Sequence, residues 1–171
     1  MQTLATTDLI LEPLVVKHAQ AMFEVLSDEA LYRYLDDPPP PSVEHLRKLY
    51  ARLEERKSPD GSQRWLNWVA SPHGLPPIGF VQATVTAHRT AWVAYVFARS
   101  HWGRGYATQA TRAVVEHLAS GYGVVRYLAT VEAANQRSIG LLERLGFHRA
   151  IEQESQGHEL SPTELLFVKS A

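Results

Sequence analysis

The chain has 171 residues, a net charge of −1 and an apolar fraction of 45%. This length predicts a single domain over residues 1–171 that can bury a hydrophobic core large enough to be stable without disulfide cross-links. The near-neutral charge argues against a nucleic-acid-binding protein, and the lack of cysteine excludes disulfides, thiolate metal ligands and a cysteine nucleophile. Residues 1–20 do not have the pattern of a signal peptide, and no apolar run approaches the roughly 20 residues of a membrane span. We therefore expect a cytoplasmic protein with no membrane partner.

The first half of the chain alternates between strand and helix patterns. The predicted elements are strands over residues 8–14, 65–70, 78–87 and 91–98 and helices over 16–26 and after an N-cap at Ser42, with a further helical turn over 31–35. Four prolines at 38–41 interrupt the helical region because they have no backbone donors. Residues 91–98 are so apolar that we place this strand in the centre of the sheet.

The second half continues with helices over 105–120 and 135–145 and strands over 124–131, 147–153 and 163–169. No repeat, low-complexity tract or linker divides the sequence into two cores. The order of elements predicts an α/β fold, with helices around one mixed sheet.

A glycine-containing loop, RSHWGRGYAT at residues 99–108, joins the central strand to the next helix. Glycines allow a sharp turn and a close approach to a ligand, and the free N–H groups at a helix start suit a phosphate. Arg99 and Arg104 add positive charge. The loop lacks the Gly-Lys-Ser/Thr ending of a P-loop and the third glycine or alanine of a dinucleotide fingerprint. Alone, it is also typical of a plain turn before a helix.

A second motif, NQRSIGLLERLGF at residues 135–147, follows the next strand. Asn135 suits the N-cap of a helix, Gly146 suits its C-terminal end, and Phe147 suits a hydrophobic contact just beyond it. Each residue therefore has a purely structural interpretation. The occurrence of both motifs in this order favours a cofactor site.

Together the motifs resemble those of the GNAT superfamily of N-acetyltransferases. Residues 94–108 (AYVFARSHWGRGYAT) look like its acyl-CoA pyrophosphate loop, and residues 135–147 look like its second coenzyme A segment. The likeness is strongest for the branch that contains ribosomal-protein N-terminal acetyltransferases. The resemblance implies the acyl-CoA N-acyltransferase fold, an α+β layout with a mixed, mostly antiparallel central sheet flanked by helices.

The resemblance also implies how acetyl-CoA, the cosubstrate, would bind. The pantetheine arm would pair with the central strand through backbone groups, and the pyrophosphate would lie over the glycine loop. The implied contacts are Tyr95, Val96, Phe97 and Ala98 for the arm and Gly103, Arg104, Gly105, Tyr106, Ala107 and Thr108 for the pyrophosphate. Asn135 would also bind the arm, and Ser138 would reach the sulfur. Trp102 stands where the family often has glutamine or arginine, which leaves backbone contacts to phosphate unaffected.

The acid differs from the usual family pattern. Many members carry a tyrosine acid four residues after the serine position, but Leu142 stands there in this sequence. Ser138 is therefore the candidate acid. A carboxylate that is common on the central strand is replaced by Trp92.

The candidate base is Glu132, at the end of the next strand, although a strand-end acid is often merely solvated. Glu154 and His158 are further options. Asp36 and Asp37 could attract a cationic amine, but acids before a proline turn are usually solvated as well. The histidines include no pair at the helical spacing of metal ligands, so we predict no metal.

The implied function is acetyl transfer from acetyl-CoA to a primary amine, either a protein N-terminus or a small molecule. The alternative is an acyl-CoA-binding sensor or partner protein of the same fold that has lost turnover. A homodimer is left open.

Overall fold

The computed structural model describes residues 1–35 and 37–171. Within these ranges one eight-stranded sheet is flanked by five α-helices. The strands are β1 (Leu4–Ala5), β2 (Leu9–Pro13), β3 (Arg64–Pro72), β4 (Gly79–Val85), β5 (Thr90–Phe97), β6 (Arg126–Glu132), β7 (His148–Arg149) and β8 (Glu164–Ser170). The helices are α1 (Ala19–Leu26), α2 (Val43–Glu54), α3 (Tyr106–Tyr122), α4 (Gln136–Arg144) and α5 (Glu152–Ser155). The helical turn predicted near residues 31–35 is a 3₁₀ turn over Glu29–Tyr34.

The strand order is β1-β2-β3-β4-β5-β6-β8-β7. Every described pair is antiparallel except β5 with β6, because α3 carries the chain back across the sheet between these two strands. The predicted mixed, mostly antiparallel sheet is confirmed, and β5 lies in its interior as expected.

The predicted strand over residues 147–153 is wrong. Only His148 and Arg149 pair with β8, and the chain then turns into α5. The reason is local. The Glu154 carboxylate accepts a hydrogen bond from the Ile151 N–H at 3.1 Å, which stabilises the first helical turn, and the intervening Glu152 and Gln153 are not strand-favouring residues.

The side chains of β5 alternate between the two faces of the sheet. On the first face, Val93 and Phe97 join the large buried cluster beneath α3 and α4. On the second face, Val96 packs against the cluster under α1 and α2. Farther along that face, residues 150–160 lie over Leu128 and the β8 side chains next to it. The second face is thus covered in two separate places.

β5 and β6 separate halfway along their length. They pair only from Thr90 with Arg126 to Trp92 with Leu128. Beyond this point β5 continues along β4, while β6 continues along β8. In the described part of the chain, the facing edges of the two strands therefore have no strand partner. The gap opens at their carboxyl ends, where α3 and α4 also begin, the usual position of a ligand crevice in a sheet with a parallel pair.

Candidate active site

A cavity of about 910 Å³ lies at the mouth of the gap between β5 and β6. Its walls come from four segments: the Glu29–Tyr34 turn, the end of β5, the glycine loop with the start of α3, and α4. Ten residues that the sequence implied as cofactor contacts line it, namely Tyr95, Val96, Phe97, Gly103, Gly105, Tyr106, Ala107, Thr108, Asn135 and Ser138. Ala98, Arg104 and Glu132 do not line this cavity. The two motifs, which are separate in the sequence, therefore meet at one place.

The backbone of β5 offers hydrogen-bonding groups to the gap at alternate residues only. The Ala98 N–H donates to the Ile78 carbonyl at 2.8 Å, so the even-numbered residues of this strand pair with β4. The groups of Tyr95 and Phe97 consequently face the gap. Because Trp102 Nε1 donates to the Phe97 carbonyl at 2.7 Å, the groups that face the gap with no partner among residues 1–35 and 37–171 are the Tyr95 N–H, the Tyr95 carbonyl and the Phe97 N–H.

The backbone conformation of the glycine loop requires glycine at positions 103 and 105. Gly103 and Gly105 have φ of 76° and 79°, in the left-handed region that other residues rarely adopt. A Cβ at either position would meet no atom within 4 Å among the described residues, so space is not the constraint. Gly105 is the N-cap residue of α3, and it has no side chain that could accept hydrogen bonds from the first N–H groups of the helix. The first N–H groups of α3 are therefore available to an anion.

Trp102 connects the two motifs across the cavity. Its ring lies under the Arg137 guanidinium, whose central carbon is 4.1 Å from the ring centroid. With its hydrogen bond to Phe97, the indole thus ties the end of β5 to the first turn of α4. The sequence marked Trp102 only as a departure from the family pattern. The contact with Arg137, 35 positions later, depends on the fold.

Asn135 and Ser138 occupy the first turn of α4. Asn135 is the N-cap, as predicted, and its Oδ1 accepts a hydrogen bond from the Ser138 N–H at 3.2 Å. The Ser138 hydroxyl lies 2.6 Å from the Tyr95 hydroxyl, and burial raises the pKa of Tyr95 to about 12. The family resemblance implied only backbone contacts for Tyr95, and its side chain was not predicted to be part of the site.

The candidate bases lie on the second face of the sheet. Glu132 ends β6 on the face opposite Val131, which is buried under α3 and α4. His158 meets the Trp92 ring edge-on, with centroids 5.3 Å apart. Glu154 is engaged elsewhere, because the Ile151 N–H and His148 bind it and keep its pKa below the usual range.

Three further observations bear on the predicted partners. Asp36 lies outside the described residues, and Asp37 is exposed. Within residues 1–35 and 37–171, no group of three histidine or acidic side chains is placed to hold a metal ion. No helix in the same ranges is long and apolar enough to cross a membrane.

The sequence matches a family model. The model described as an acetyltransferase (GNAT) domain covers residues 8–148. The uncharacterized N-acetyltransferase p20 of Bacillus licheniformis is 25% identical over 150 residues, which are 87% of this chain and 84% of that protein. The uncharacterized N-acetyltransferase YoaA of Bacillus subtilis is 28% identical over 153 residues, which are 85% of this chain and 82% of that protein.

The fold has solved counterparts. A structure of RimL, a ribosomal L7/L12 α-N-protein acetyltransferase in complex with coenzyme A, superposes with a TM-score of 0.80 at 19% identity, covering 98% of this chain and 97% of that one. At this identity the likeness concerns the fold. Together with the family model and the N-acetyltransferase relatives, these findings confirm the resemblance drawn from the two motifs. The chain belongs to the GNAT acetyltransferase family and is an acyl-CoA-dependent N-acetyltransferase.

Proposed function

We propose that this enzyme transfers an acetyl group from acetyl-CoA to a primary amine by direct attack. The observation that carries the proposal is the convergence of a free strand edge, an uncapped helix start and the Ser138 hydroxyl on one cavity. The proposed roles of the individual residues follow from their positions around it. The comparisons favour this activity over a sensor that has lost turnover.

In the proposed complex, the pantetheine arm adds to β5 as an extra strand. The free backbone groups of Tyr95 and Phe97 are the partners that such an arm requires. The pyrophosphate lies over Gly105 and the first N–H groups of α3, which attract negative charge. Asn135 uses its side-chain oxygen for the cap, so its amide nitrogen remains to donate to a carbonyl of the arm.

The proposed reaction uses both faces of the sheet. The amine nitrogen attacks the thioester carbon, and backbone N–H groups stabilise the negative oxygen that forms. The C–S bond then breaks, and its electron pair goes to the sulfur, where Ser138 donates a hydrogen bond from the first face. On the second face Glu132 takes the proton that the amine nitrogen loses, through a water molecule. That proton finally reaches the thiolate, so that thiol is released.

A trough on the second face supports a protein N-terminus as acceptor. Ala94 and Thr130 lie in the middle of interior strands, yet both are exposed on this face. They form an open floor between the helices α1 and α2 and residues 150–160, and an extended chain end fits such a floor better than it fits a closed pocket. The RimL structure is that of an enzyme named for a ribosomal protein.

The acceptor class can be tested by thiol release with three sets of amines: peptides with free N-termini, the same peptides with blocked N-termini and one lysine, and small amines. We expect turnover with the first set. Turnover with small amines alone would contradict the protein acceptor, and no turnover with any set would contradict amine acetylation itself.

A homodimer also stays a prediction, and light scattering in solution would test it.

Acetyl-CoA should stabilise the folded enzyme, because it binds the native chain alone. At a concentration 100-fold above its dissociation constant the gain is about 2.7 kcal/mol. For a domain of this size that gain raises the melting temperature by roughly 5–10 °C. Thermal unfolding with and without millimolar acetyl-CoA measures the effect. An unchanged melting temperature would count against the proposed cofactor.

Replacing Glu132 by glutamine should lower turnover roughly tenfold, below the usual scale for a lost general base because water still accepts part of the proton. Glu164 provides a matched control, since it lies directly opposite Glu132 on β8. The Glu164→Gln enzyme should retain its rate. Equal rates in wild type and Glu132→Gln would remove Glu132 from the mechanism and leave His158 as the next candidate.

A further inference from the structure

Tyr95 and Ser138 are 43 positions apart in the chain, yet their hydroxyl oxygens lie 2.6 Å from each other at the edge of the gap. Both residues line the cavity. We propose that Tyr95 is a positioning residue, whose phenol holds the Ser138 hydroxyl so that the serine hydrogen points at the sulfur of acetyl-CoA. This inference rests on the proposed function, because it takes Ser138 to face the thioester.

Either hydroxyl of the pair can donate to the other, and the proposal takes the phenol as the donor. The Tyr95 hydroxyl also lies 3.4 Å from the Ser138 backbone carbonyl, an oxygen that can only accept. In the proposed arrangement the phenol directs its hydrogen toward both oxygens of Ser138. If the phenol donates to Ser138 Oγ, it occupies a lone pair of that atom and leaves the single serine hydrogen for another acceptor.

Without such a partner, a serine in the first turn of a helix can turn its hydroxyl back to the carbonyl three residues earlier, which here is that of the N-cap Asn135. Here the contact that the structure gives Ser138 Oγ is with Tyr95 instead. The phenol therefore opposes a rotamer in which the hydroxyl would satisfy its own helix and turn away from the gap.

Tyr95 does not act as the acid itself. Burial raises its pKa to about 12, whereas a thiol has a pKa of about 8.5. Transfer of the phenol proton to the departing thiolate is therefore unfavourable by about three orders of magnitude. The proposal therefore gives Tyr95 the role of orienting Ser138 and not that of donating its own proton.

The test compares Tyr95→Phe with Tyr127→Phe. The first change removes the phenol beside Ser138, and we expect kcat to fall about tenfold, the scale of one hydrogen bond, while KM for acetyl-CoA stays within about twofold. Tyr127 is the control, because its buried hydroxyl donates to the Val115 carbonyl at 3.1 Å and does not line the cavity. The Tyr127→Phe enzyme should lose stability but not kcat.

The double variant separates positioning from packing. If Tyr95 acts only through Ser138, Tyr95→Phe should cost nothing further in a Ser138→Ala enzyme. Equal losses in both backgrounds, or an unchanged kcat in the single variant, would overturn the proposal.

Crystal structures with bound coenzyme A give a readout that does not need turnover. We expect Ser138 Oγ to point at the sulfur in the wild type and to turn away in Tyr95→Phe. The same Ser138 rotamer in both structures would contradict the role of Tyr95. If the wild type acetylates no amine, the proposed function fails, and this structural comparison still decides whether Tyr95 orients Ser138.

Discussion

Replacing Gly105 by glutamate is expected to abolish acetyl-CoA binding while leaving most of the fold intact. The new carboxylate would lie at the start of α3, where the pyrophosphate is proposed to bind. Two like charges about 4 Å apart near a protein surface repel by about 4 kcal/mol, which corresponds to roughly a thousandfold in affinity. The side chain has room, because no described atom lies within 4 Å of a Cβ at this position. Isothermal titration with acetyl-CoA measures the loss.

Two controls isolate the cause of this effect. A residue other than glycine at φ 79° costs about 1–2 kcal/mol of strain, and Gly105→Gln imposes that strain without the charge. Gly74→Glu adds the same charge and a similar strain at φ 72°, in a turn that does not line the cavity. We expect Gly105→Gln to bind more weakly than wild type but well above Gly105→Glu, and Gly74→Glu to bind normally. Unchanged affinity in Gly105→Glu would remove the loop from the site.

Replacing Ser138 by alanine is expected to reduce kcat by about a hundredfold, because the departing thiolate loses a hydrogen bond to its developing charge, an interaction on the order of 1.5–3 kcal/mol. The loss is no larger because a thiolate already leaves readily and the serine does not have to give up its proton. Binding of acetyl-CoA should change little, since Asn135 and the glycine loop remain. Steady-state rates at saturating acetyl-CoA measure the effect.

The helix itself should tolerate this change. Asn135 provides the cap, and it bonds to the backbone N–H of residue 138 and not to the hydroxyl. Ser120→Ala is the matched control, because Ser120 lies in α3 away from the cavity and its hydroxyl bonds to the Glu116 carbonyl at 3.0 Å. Wild-type turnover per folded molecule in Ser138→Ala would assign Ser138 a structural role only.

Local interactions were predictable from the sequence. Ser42 accepts a hydrogen bond from the His45 N–H at 3.1 Å, so α2 begins where the capping pattern placed it. Gly146 adopts φ 82°, and the Phe147 N–H returns to the Leu142 carbonyl at 3.0 Å, as expected for a glycine-ended helix. Each of these contacts spans at most five residues. The failed strand over 147–153 was also local, but the bond between Glu154 and Ile151 competed with a weak strand pattern.

The sequence by itself therefore determined the helices other than α5, the centre of the sheet and, through two motifs, the family. It could not determine the pairing of Tyr95 with Ser138, the stacking of Arg137 on Trp102 or the opposite faces occupied by Ser138 and Glu132. These depend on where β5 and β6 separate, which is just beyond the pair Trp92 and Leu128. Propensity and periodicity act over one or two turns of chain, whereas side chains 35 to 43 positions apart meet only after the sheet has its register.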